Sequence, residues 1–193
     1  MKLLYAAALM LMMSAVAMAA PDSQQFGPYM VSFDLDADYQ VQVAEPMESE
    51  IGTVYSIALF IDNSTGASIA VAEYAEQTDA TLNMHKTLNT MSLMLQGFNS
   101  TDVDDMTIDG KDGFLITAEP FQAAAEAPSN IYKAMYWMDS EDFGPVSAGT
   151  TSVTITSTYP SDVTEGLLSS LSIAKGEAPA MATANGGQVF PPE

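Results

Sequence analysis

Residues 102–121 read DVDDMTIDGKDGFLITAEPF: two β-prone runs, Asp102–Ile108 and Phe114–Phe121, around the turn Asp109-Gly110-Lys111-Asp112-Gly113. Asp-Gly between apolar runs marks a hairpin. Both central residues of such a tight turn need positive φ, which Gly adopts freely and Asp more readily than most. The two runs therefore pair antiparallel, and their neighbours decide what covers them. Upstream, Met84, Leu88, Met91, Leu95 and Phe98 recur at spacings of four, three, four and three, one continuous helical stripe. Thr78-Asp79 reads as its cap and Gly97 as its end. On this phasing the stripe is the packing face.

Further upstream, Met30–Leu35 alternates roughly, and Tyr39–Val43 alternates cleanly with Gln40 and Gln42 on the exposed side. A loop rich in Glu, Pro and Ser, Glu45–Glu50, separates these from Thr53–Ile61, which places Tyr55, Ile57, Leu59 and Ile61 on one face. The turn Asp62-Asn63-Ser64-Thr65-Gly66 leads into the returning strand Ala67–Tyr74. Downstream, an Ala-rich loop precedes Ile131–Met138, apolar on both faces. Val153–Tyr159 follows, with Ser152, Thr154, Thr156 and Thr158 on a polar face. Pro160-Ser161-Asp162 opens a last helix that buries Val163, Leu167 and Leu171, with Asp162 and Glu165 near its positive end. Strands, a helix, more strands and a closing helix make an α+β class: an antiparallel β-sheet of about six to eight strands packed with two main helices. Strands apolar on both faces place the sheet between two covering layers.

Three stretches carry a family resemblance. Val31-Ser32-Phe33-Asp34-Leu35 with Tyr39 resembles the first hairpin of the PsbP-like fold. The Ile108–Gly113 hairpin and the run Val153–Pro160 leading into a helix are similar to later parts of it. The resemblance covers about residues 28–175 and rests on pattern. It implies an α/β/α sandwich of a family named after an extrinsic subunit of the oxygen-evolving complex, whose relatives are mostly non-enzymatic binding or assembly domains. In overall style the chain also resembles uncharacterised exported proteins of methanogenic archaea.

The first nineteen residues, MKLLYAAALMLMMSAVAMA, read as a cleavable signal peptide. Lys2 is the positive end, Leu3–Val16 the apolar run, and Ala17-Met18-Ala19 the small-x-small cleavage site. That run is shorter than the ~20 residues a membrane span needs. Cleavage after Ala19 leaves 174 of the 193 residues, enough for one well-buried domain, here residues 28–175. Residues 20–27 read as a short polar leader, and 176–193, rich in Ala, Gly and Pro, as a disordered tail. The formal charge of −20 becomes −21 once Lys2 departs, and there is no arginine. Nucleic acid and anionic membranes are therefore poor partners, since both are held by Lys and Arg against phosphate. Zero cysteines exclude disulfides, thiol nucleophiles and cysteine-held metal clusters.

No phosphate-cradling glycine loop, nucleophile elbow or His-Glu-x-x-His occurs. The lone histidine, His85, falls on the helix with Asn89, Ser92 and Gln96, away from the stripe, which places it toward solvent. Asp34, Asp36, Asp38 and Glu45 fall at positions 1, 3, 5 and 12 of a calcium loop, and so are candidate ligands for weakly held Ca²⁺. Tyr39 stands where such a loop has its glycine, and no helices flank the run; the alternative is a strand end with solvated carboxylates. Asp102, Asp104, Asp105, Asp109 and Asp112 form a second acidic cluster. Asn63-Ser64-Thr65 and Asn99-Ser100-Thr101 are glycosylation sequons in expected loops, with Asn63 and Asn99 as acceptors. Tyr132, Tyr136 and Trp137 read as core of a central strand, with a ligand-facing aromatic patch as the alternative. The function expected is a secreted, non-catalytic binding or envelope-associated domain with no organic cofactor. Its alternatives are an extracellular cation-binding domain and a small carboxylate-dependent hydrolase.

Overall fold

The computed structural model describes residues 21–76, 81–122, 128–139 and 149–176. The signal segment, Thr78-Asp79 and residues 177–193 of the expected tail lie outside the described residues. In chain order the elements are β1 (Asp22–Phe26), β2 (Tyr29–Phe33), β3 (Gln40–Val43), β4 (Met47–Ser49), β5 (Gly52–Phe60) and β6 (Gly66–Tyr74). There follow α1 (Leu82–Leu95), β7 (Phe98–Ile108), β8 (Lys111–Pro120), β9 (Ile131–Trp137), β10 (Thr151–Ser157), α2 (Ser161–Ser170) and β11 (Ser172–Lys175). The fold is α+β, with two helices, an eight-stranded sheet and a three-stranded sheet.

The large sheet runs β3-β5-β6-β10-β9-β8-β7, with β4 also paired to β5, and all its pairings are antiparallel. The quoted hairpin forms as its turn chemistry requires. Ile108 pairs with Lys111 around Asp109 and Gly110, whose φ values are 52° and 69°. In the small sheet, β2 lies between β1 and β11, again antiparallel. Two strands there differ from expectation. Asp22–Phe26, read as polar leader, is β1 and buries Phe26. Ser172–Lys175, read as the end of the domain, is β11 and buries Ile173. Each carries mostly small or polar residues around one inward apolar group, which leaves too little periodicity to detect.

Alternation along the strands separates two cores. On one face Ile57 and Leu59 of β5, Ile69 and Val71 of β6, Val153 and Ile155 of β10 and Tyr136 of β9 pack beneath the small sheet and α2. Leu167, Leu168 and Leu171 bring α2 onto this core, while Val163 packs at its margin. Thr164 is buried on the same helix, and its hydroxyl meets that of Ser157 at 2.8 Å, so neither polar group is left unpaired. On the opposite face Phe114, Ile116 and Ala118 of β8 and Met135 and Trp137 of β9 pack beneath α1. The sheet is thus covered on both sides where β8 and β9 run. β3 differs: Val41 and Val43, expected to face inward, are exposed along with the glutamines, because β3 is an outer strand with no layer over it. Part of the expected loop 45–50 is strand β4.

Candidate interaction surface

The helix α1 is turned the other way from its sequence phasing. Thr81, not Thr78-Asp79, caps it: its hydroxyl accepts the Met84 N–H. At the far end Gln96 closes the helix and Gly97 takes φ 92°, so only these two residues separate α1 from β7. That short link dictates which side of α1 meets the sheet. Leu82 and Leu93, eleven residues apart and therefore on one side, are the buried residues of α1. His85 and Asn89 lie between them at helical spacing. The expected packing stripe faces solvent: Met84, Leu88, Met91 and Leu95 are 51, 54, 53 and 88% exposed, and Met94 joins them. Phe98 belongs to β7 and packs against the α1 core, so the stripe ends at Leu95.

His85 accordingly does not face solvent. Its ring stands edge-on to Trp137 with centroids 5.4 Å apart, and Trp137 leans on Tyr74 at 5.8 Å. Burial pushes the imidazole pKa below its ordinary value, which favours the neutral ring against the indole. Among the described residues neither His85 Nε2 nor Trp137 Nε1 has a hydrogen-bond partner. Asn89 donates its side-chain N–H to the His85 carbonyl at 2.8 Å, and Lys86 pairs with Asp105 of β7. An imidazole, an amide and a lysine stem each present enough apolar body to pack. A scale that counts them simply as polar misplaces the face.

β7 is the edge strand of the large sheet at the end opposite β3, and it carries Asp102, Asp104 and Asp105, all exposed. The α1 sequence LNMHKTLNTMSLML holds no acid, and its one lysine is paired with Asp105. Asp105, opposite Phe114, is on the α1 side of the sheet, whereas Asp102 and Asp104, opposite Thr117 and Leu115, are on the other face.

The other sequence candidates fall elsewhere. Asp34, Asp36 and Asp38 are exposed between β2 and β3, and Glu45 is exposed between β3 and β4. The structure does not bring them together: among the described residues no three His, Asp or Glu side chains form a metal-holding group. The Asp34 N–H donates instead to Ser170 Oγ at 2.9 Å. Asn63 is exposed in the β5–β6 turn, where Asp62 accepts the N–H groups of Ser64 and Thr65. Asn99 is exposed but sits in β7, paired with Glu119, and not in a loop. Tyr132, Tyr136 and Trp137 are all core.

Two polar clusters escaped the sequence reading. Asp109 Oδ2 accepts the Ile173 N–H at 2.9 Å and the Tyr136 hydroxyl at 3.1 Å, tying the β7–β8 turn to β11. Burial and the neighbouring Asp109 push the Tyr136 hydroxyl pKa up. Glu73 of β6 accepts the Tyr29 hydroxyl and the Lys175 ammonium, both at 2.5 Å. Burial would raise the Glu73 pKa, but these two donors outweigh it and hold the carboxyl below its usual range. Both clusters join residues far apart in sequence, so no local spacing announces them. A groove of about 490 Å³ near the β5–β6 turn is lined by Ser64, Thr65, Asn130, Tyr132 and Ser161 among others. The described residues lining it carry no charge, so they offer hydrogen bonds and no acid–base pair.

Compared with models of known families, with curated proteins and with solved structures, the chain matches none of them.

Proposed function

We propose that this chain is an exported, non-catalytic binding or envelope-associated domain of PsbP-like fold, which engages a partner through the outward face of α1. The single observation carrying this reading is the exposure of Met84, Leu88, Met91 and Leu95 on one side of a capped helix. Soluble monomers rarely leave a contiguous apolar patch of more than a few hundred Å² open unless something docks there. The signal-like segment 1–19 supports a place outside the cytoplasm, and the acidity of the rest suits a salt-screened exterior. Among the described residues no helix is long and apolar enough to cross a membrane.

The test is to express the full chain in a host with a secretory pathway, fractionate the cells and sequence the N-terminus of the recovered protein. The reading expects a chain starting at Ala20 in the envelope or medium. A photo-crosslinking residue at position 91 should then give a discrete adduct there, and the same group at position 47 should not. Uncleaved protein confined to the cytoplasm, or adducts indifferent to position, would contradict it.

A further inference from the structure

We propose that the sheet face formed by β9, β10, β6 and β5 binds a small organic monocarboxylate, its carboxylate on Lys133 and Thr156 and its apolar body against Ala58 and Phe60. The site uses none of the α1 stripe and goes beyond the partner surface proposed above. Strand register assembles it. Lys133 of β9 pairs across with Thr156 of β10, Thr156 with Ser68 of β6, and Ser68 with Ala58 of β5. Residues directly opposite share a sheet face with Cβ atoms about 5 Å apart, so the four form one row. Lys133 is two residues from Met135, which packs beneath α1, so the row lies on the α1 side of the sheet. Along it Ser68 is exposed, while Thr156, Ala58 and Phe60 are partly exposed. A cavity of about 360 Å³ opens over this row, lined by Ala58, Phe60, Ser68, Thr156, Thr158 and Pro128 among others. That size falls within the ~300–1,000 Å³ of small-molecule sites.

Charge and hydrogen bonding select the ligand. Lys133 has Ile116 opposite it on β8 and Met135 two places along, both buried, so its stem is in apolar company. Its ammonium makes no ion pair among the described residues, where the two pairs are Lys86–Asp105 and Lys175–Glu73. Burial pushes the Lys133 pKa below its ordinary value, and no counter-charge restores it. The next row on the same face, Met135–Thr154–Ala70–Ser56, holds no acid either, in a chain with 25 Asp and Glu. The Thr158 hydroxyl is committed to the Ser64 carbonyl, whereas those of Thr156 and Ser68 have no hydrogen-bond partner among the described residues. The four-carbon lysine stem is flexible enough to bring its charge over Thr156. Asp62, an acid on the cavity rim, is turned into its own loop, where it accepts the Ser64 N–H, the Ser64 hydroxyl and the Thr65 N–H. Phosphate is disfavoured, because its second charge would face a chain of net −20 with one ammonium and no arginine fork. A neutral ligand would leave that ammonium without an anion.

The test follows amide shifts of the isotope-labelled, signal-free chain by NMR while benzoate or hexanoate is added. Benzamide, hexanamide and inorganic phosphate are titrated in the same way. The amides of Lys133, Thr156 and Ser68 should move with both acids, at a Kd at least about tenfold below that of either uncharged amide. Phosphate should leave them in place. Lys133→Met keeps the stem and removes the charge, and should weaken both acids at least about tenfold. Lys111→Met, at the start of β8, should change nothing. Ser68→Phe fills the cavity from an exposed position and should abolish binding with Lys133 intact; it carries the test should Lys133→Met fail to fold. Silence of both acids at millimolar concentration, or acids and uncharged amides binding alike, would overturn the inference. So would phosphate moving the same amides as tightly, or affinity indifferent to either folded variant.

Discussion

His85 sets its imidazole edge-on against the Trp137 indole, centroids 5.4 Å apart and planes at 72°. This contact, with Leu82 and Leu93 on the same side, fixes the rotation of α1 on the sheet. Everything proposed about the outward stripe follows from that rotation. A helix turned by half a revolution would hide Leu88 and Met91 and expose the imidazole.

Leu93 and Leu95 sit two residues apart on opposite sides of this setting, being 1% and 88% exposed. Leu93→Ala empties a packed site and should cost about 2–5 kcal/mol. Leu95→Ala removes a side chain already in water and should fall within about 0.5 kcal/mol of the parent. Urea unfolding of both variants reads the difference.

His85 makes stability depend on pH in a defined window. Its pKa is lowered on folding from the ordinary 6.5, so the unfolded chain binds more protons near that pH. Its contribution is complete above 6.5 and is lost as pH falls below that value toward the folded pKa. Melting temperature should therefore decline from pH 7 to 5 in the parent, and His85→Gln should flatten this part of the profile. The carboxylate effects begin lower, so the two regions separate.

How much of this was legible in the sequence depended on whether the deciding interaction was local. The Asp109-Gly110 turn, the strand faces of β5 and β6 and the burial of Leu167 and Leu171 follow from spacings of one to four residues, and all appear in the structure. The setting of α1 does not follow from spacing. Its stripe is amphipathic, but the short Gln96-Gly97 link and the aromatic partner Trp137, more than forty positions away, override the hydrophobic phase. β1 and β11 were illegible for the same reason, since each is held by backbone pairing to β2. Asp34, Asp36, Asp38 and Glu45 have the spacing of a ligand loop, and among the described residues they are in no group of three or more acids or histidines placed to hold a metal.

Asp109 accepts two donors and holds positive φ, so its replacements should grade. Asp109→Asn keeps an acceptor and tolerates the conformation; Asp109→Ala strands the Ile173 N–H and the Tyr136 hydroxyl. We expect Ala to cost about 2–4 kcal/mol and Asn clearly less, measured by urea unfolding.

Glu73 supplies the acid limb. Its pKa lies below the ordinary 4.5 in the fold, so its contribution is present above 4.5 and is lost as pH falls through the folded value. Glu73→Gln should lower stability at pH 7 and reduce the further loss below pH 4.5. Because Lys175 is the last residue of β11, hydrogen exchange of the Lys175 amide should also quicken.

Methionine oxidation tests the outward stripe most directly, since peroxide attacks the thioether where solvent reaches it. In the native protein Met84, Met91 and Met94 should oxidise as fast as Met47, which is 68% exposed, while Met135, at 2%, stays reduced. Peptide mass spectrometry after a timed peroxide pulse gives each rate. Met84 and Met91 protected to the level of Met135 would contradict the account.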